Sequence, residues 1–67
     1  MFESCVSLLA RFHYHVKSTN KDDTGVWLVL QDRQGDPRGI GWLANWTEDM
    51  ALEAVKEFLR GEGFDIS

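Results

Sequence analysis

The chain has 67 residues, 43% hydrophobic and 12% aromatic, with seven basic against eleven acidic side chains and a net charge of −4. That length allows one domain with a small core, because a chain of this size buries only about 60% of the surface its unfolded form exposes. One cysteine excludes an intrachain disulfide, no cysteine and histidine cluster offers a structural zinc site, and the scattered lysines and arginines argue against binding nucleic acid through phosphates.

The N-terminal stretch MFESCVSLLARF lacks a cationic start, carries Glu3, and has an apolar run too short for a secretory signal or a membrane span. A cytoplasmic protein is expected. Phe2, Cys5, Val6, Leu9, Phe12 and Val16 recur at helical spacing, whereas Phe12, Tyr14 and Val16 alternate with His13, His15 and Lys17 at a period of two. The preferred reading is a short helix over about 2–10 running into a strand over about 11–18. The alternative extends the strand back to Cys5.

Residues 18–25, STNKDDTG, form a polar run of turn-favouring side chains and read as a loop. Val26 to Leu30, VWLVL, is an unbroken apolar run with β-branched and aromatic members, which predicts a central strand over about 26–33. Gly35, Asp36, Pro37 and Gly39 supply turn chemistry, so a third strand over about 39–46 is expected to return antiparallel.

Thr47 stands where a helix N-cap belongs, with Glu48 and Asp49 in the first turn, where their charge favours the positive end of the helix dipole. Ala51, Leu52, Val55, Phe58 and Leu59 fall on one face and predict a helix over about 48–60. Gly63 in the left-handed conformation closes it in a Schellman motif with Phe64 against Leu59, unless the helix stops earlier at Gly61. A short last strand over 64–66 is expected beside the sheet. The fold class is therefore α+β: a three-stranded antiparallel sheet with a C-terminal helix on one face, in a single domain spanning 1–67.

The run GIGWLANW, residues 39–46, raises the question of a phosphate loop. Such a loop needs its glycines between a strand and a helix N-terminus. Here they open a strand-like run instead, in which Ile40, Trp42, Ala44 and Trp46 alternate with Gly41, Leu43 and Asn45. Trp27 and Val29 are expected to share a face with Trp42, leaving Leu28, Leu30 and Leu43 on the other. Apolar groups on both faces leave two readings: all three tryptophans lie in the core, or one face stays open as an interaction surface.

His13 and His15 stand two apart, a spacing that chelates metals on a strand, but no third ligand has a fixed spacing from them. No metal or other cofactor is expected. Cys5 sits in an apolar stretch where a thiol is inert, and no serine has a partner motif, so no catalytic residue is assigned. The function expected is that of a small, acidic, non-catalytic protein that binds and masks another protein. As a class this includes phage-type inhibitors of a host enzyme or of a nucleic-acid-guided defence complex. The residues expected to carry it are Trp27, Trp42 and Trp46 as aromatic anchors, with Asp22, Asp23, Glu48 and Asp49 facing a basic partner surface. Two alternatives stand beside it: a single-stranded nucleic-acid-binding module that stacks bases on the aromatic sheet face, and a homodimeric structural subunit.

Overall fold

Strict alternation along the apolar centre of the chain decides the architecture. Val26, Leu28 and Leu30 are buried, while Trp27 between them is exposed, so this strand is covered on one face only. In the computed structural model, which describes residues 2–66, the element order is α1 (Glu3–Arg11), β1 (His15–Lys21), β2 (Gly25–Gln31), β3 (Pro37–Leu43) and α2 (Glu48–Gly61). The strands form one antiparallel sheet in the order β1-β2-β3. Both helices lie on the same face, α1 over β1 and α2 over β3, and they pack against each other.

The core is built from that single face. Leu28 and Leu30, Leu9 and Cys5 of α1, and Val55, Leu59 and Ala51 of α2 are fully enclosed, and Ile40 and Trp42 complete it from β3. The Phe2 ring stacks on Trp42 with centroids 6.1 Å apart. Burying side chains of this size stabilises the fold by roughly 1.5–3 kcal/mol each.

The helix ends explain where the strands begin. Thr47 caps α2, its Oγ1 accepting the Met50 N–H at 3.3 Å. At the other end Gly63, with φ of 101°, lets Phe64 N–H reach the Leu59 carbonyl at 3.1 Å, the Schellman closure the sequence predicts. Helix α1 ends the same way with histidine in place of glycine. His13 has φ of 68°, the Tyr14 N–H donates to Leu9 at 3.0 Å, and the His13 N–H donates to Ala10 at 3.0 Å. That closure occupies residues 12–14 and starts β1 at His15, four residues later than the expected 11.

Three further expectations are corrected. β1 runs on to Lys21 through polar residues, because it is an edge strand with solvent on one face, and the loop shrinks to residues 22–24. Asp22 holds that turn by accepting from the Thr24 and Gly25 N–H groups at 2.8 and 3.0 Å. β2 and β3 each end earlier than expected, at Gln31 and Leu43, and β3 starts at Pro37, a position an edge strand tolerates. Residues 64–66 form no strand; Phe64 packs on Phe12 with centroids 4.9 Å apart, and the Arg60 guanidinium donates to the Ile66 carbonyl.

Candidate protein-docking face

The face of the sheet away from the helices carries Trp27 and Val29 of β2, Leu43, Gly39 and Gly41 of β3, and Ser18 and Asn20 of β1. Register assigns them. Trp27 pairs with Gly41, and Val26 pairs with Trp42, so Trp27 and Trp42 point to opposite faces and not to the shared one expected. Trp42 is a core residue, 6% exposed, and is not available to a partner, whereas Trp27 is 51% exposed and Leu43 56%.

Trp27 is held by what its neighbours lack. Its indole lies along β3 over Gly39 and Gly41: a Cβ built on Gly39 would collide with Cζ2, and one on Gly41 would stand 2.7 Å from Cε3. The glycines provide a flat floor, and the ring covers the bare backbone they leave. One side of the indole is thus packed and oriented while the other faces solvent. A pre-positioned ring loses little conformational freedom on binding.

A shallow groove of about 380 Å³ runs from this ring across the end of the sheet, lined among others by Asn20, Asp22, Leu43 and Trp46. Hydrogen bonds from the Thr24 hydroxyl and from the Thr24 and Gly25 N–H groups hold the exposed Asp22 carboxyl below the usual carboxylate range. Asp22 therefore has two roles, as a fixed charge and as the turn's acceptor. Asp23 beside it is exposed.

The remaining expected residues lie in the other layer. Trp46, half-buried, follows β3 and borders a second groove of about 430 Å³ on the outer flank of α2, with Asp49, Met50, Glu53, Ala54 and Glu57. Glu48 accepts the Ser4 hydroxyl at 2.7 Å and so ties α2 to α1. Trp27, Trp46 and Asp22 are brought together around one groove; Glu48 and Asp49 are not part of it. Leu43 and Met50 belong to the exposed apolar surface, with half-buried Val29 beside Trp27, and none of the three was among the residues expected to carry binding. The signal for Leu43 was present, since it falls in step with Gly39 and Gly41 and alternates with Ile40 and Trp42 along β3.

A separate polar cluster closes the opposite end of the sheet. Tyr14 Oη donates to Glu62 at 3.0 Å, Arg38 Nε donates to the same carboxylate at 2.5 Å, and Arg38 lies 3.4 Å from Asp32. Burial and the Glu62 carboxylate push the Tyr14 hydroxyl up to about 12. These groups satisfy one another and tie α2 to the β2–β3 hairpin. His13 stands in the left-handed turn and His15 on β1, so they are not alternate positions of one strand. Among the described residues no group of three or more His, Cys, Asp or Glu is placed to hold a metal ion, and no helix is long and apolar enough to cross a membrane.

No protein-family model matches the chain, and neither a curated protein nor a solved structure matches it.

Proposed function

We propose that this protein is a non-catalytic binding module that covers part of a partner protein with the open face of its sheet. The observation that carries the reading is Trp27, half-exposed and laid flat over two glycines on a face that neither helix shields. Covering the exposed half of such an indole together with Leu43 contributes about 2–4 kcal/mol, enough for a binding hot spot. The acidic pair Asp22 and Asp23 at the rim, within a chain of net charge −4, favours a partner with a basic surface. Masking such a surface is the inhibitory form of this role.

The test compares capture by the tagged wild-type chain with capture by Trp27→Ser, whose folding is checked by thermal melting. A protein enriched by the wild type and lost from the variant is the expected result. Equal enrichment by both removes the open face as the site. The same half-exposed ring favours base stacking as a second reading, but the polar residues around it, Ser18, Asn20 and Gln31, supply no cation for phosphates. A low-salt gel shift with single-stranded oligonucleotides is expected to show no complex.

A further inference from the structure

The sheet has two edges, and they differ. β1 carries a bulge between Val16 and Ser18 and exposes Lys17 and Lys21, features that discourage a further strand from pairing. β3 has neither. Its register with β2 is unbroken and its middle is Gly39, Ile40, Gly41.

Two hydrogen bonds close the ends of the β2–β3 ladder, Asp32 N–H to the Asp36 carbonyl and Ala44 N–H to the Thr24 carbonyl, each 3.0 Å. Counting inward by twos from them, Leu30 with Arg38, Leu28 with Ile40 and Val26 with Trp42 exchange backbone bonds, because bonded pairs alternate along an antiparallel ladder. The backbone groups of Pro37, Gly39, Gly41 and Leu43 therefore point away from β2. The Arg38 guanidinium donates to the Pro37 carbonyl at 2.8 Å, and the Trp46 N–H donates to the Leu43 carbonyl at 3.1 Å. Among the described residues, both groups of Gly39, both groups of Gly41 and the Leu43 N–H are left open.

We propose that this edge pairs with the same edge of a second copy of the chain, antiparallel about a two-fold axis at Ile40, to make a continuous six-stranded sheet. In that register Gly39 and Gly41 exchange both backbone bonds with Gly41 and Gly39 of the second copy. The Leu43 N–H meets the Pro37 carbonyl, which has a second lone pair, and the N–H that proline lacks falls opposite a Leu43 carbonyl already served by Trp46. Every open donor of the strand finds an acceptor in its own sequence reversed.

Side chains select a second copy over an unrelated strand. Glycine falls opposite glycine on the open face, so the two Trp27 rings, each lying over its own Gly39 and Gly41, meet across the junction with no side chain between them. A stable dimer needs about 600 Å² from each copy, more than the edge of one seven-residue strand presents. The surface to make up the difference is adjacent, because α2 lies over β3 and its outer flank holds the groove lined by Trp46, Met50 and Ala54 together with the acidic Asp49, Glu53 and Glu57, so added salt is expected to strengthen the pairing. This inference does not rest on the docking role, because it is argued from the backbone groups of the β3 edge, although its junction brings together the same Trp27 and Leu43 side chains.

Sedimentation equilibrium of the intact chain across micromolar to millimolar concentrations, with amide exchange followed by NMR on the same samples, tests the proposal. The expected result is a mass that doubles with concentration while the Gly39 and Gly41 amides slow in step. Leu43→Lys, a change at an exposed position, is expected to weaken association at least about tenfold and to leave the melting temperature of dilute protein unchanged. A single-chain mass at every concentration overturns the proposal. So does a dimer in which the Gly39 and Gly41 amides still exchange fast, because that dimer uses another surface.

Discussion

The Tyr14 hydroxyl donates to Glu62 at 3.0 Å across 48 residues of sequence, joining the end of α1 to the end of α2 beneath the Arg38 guanidinium. The bond needs the proton on Tyr14. Folding raises the hydroxyl from its ordinary value of 10 to about 12, so the stabilisation is fully present below pH 10 and is lost as pH rises through 12. The full loss is about 3 kcal/mol, since each of the two units corresponds to about 1.4 kcal/mol, and about 2 kcal/mol of it falls below pH 11.5. Denaturant unfolding at pH 9 and pH 11.5 measures it. Tyr14 is the chain's single tyrosine, so absorbance titration reads the same group directly, and Tyr14→Phe is expected to flatten the dependence.

His13 pays a conformational penalty that glycine does not, because its φ of 68° lies in the left-handed region. His13→Gly is expected to stabilise the fold by about 1 kcal/mol, raising the melting temperature by about 4–8 °C in a domain of this size. A fall in melting temperature would show that the imidazole makes a contact worth more than the strain.

Gly41 and Gly61 give opposite expectations for the same substitution. A Cβ on Gly41 meets both the Trp27 ring and the Val26 carbonyl at 2.7 Å, so Gly41→Ala displaces the indole and costs about 1–3 kcal/mol. Gly61 lies in the last turn of α2 with nothing within 4 Å of an added Cβ, and Gly61→Ala is expected to gain about 0.5–1 kcal/mol. Paired thermal melts check both signs, and the summed emission of the three tryptophans should change only for the first.

Charge at the rim of the docking groove can be altered without breaking its turn. Asp22→Asn retains the acceptor for the Thr24 and Gly25 N–H groups, and Asp23→Lys reverses the exposed neighbour. With a basic partner, the double variant is expected to associate about tenfold more slowly at low salt and to lose most of its salt dependence. Stopped-flow association across ionic strength decides this, and unchanged kinetics would assign the rim no part in recognition.

Helix α2 was legible because its apolar spacing, its Thr47 cap and its Gly63 closure agree. The sheet was legible because VWLVL and the turn after it have one economical reading. The start of β1 was hidden: a histidine, not a glycine, occupies the left-handed position that ends α1, so the composition gave no stop signal. The polar residues Ser18 to Lys21 read as a loop since an edge strand open to water needs no apolar alternation. The facing of Trp42 depended on register. The Asp32–Asp36 turn fixes that register, and a slip of one residue exchanges the two faces, so alternation within each strand could not reveal which tryptophan lay opposite glycine. That is why Trp27 alone emerged as the anchor of the candidate site.

Cys5 offers one last consequence. It is the only cysteine, it lies fully enclosed in the core on the inner face of α1, and burial followed by the nearby Glu48 charge pushes its thiol up. A thiol-reactive dye can therefore label the chain only while α1 is lifted away, which makes the native molecule its own clock for that opening. The labelling rate needs no engineered probe, and comparing it with the rate of complete unfolding would show whether the first helix departs alone or takes the whole fold with it.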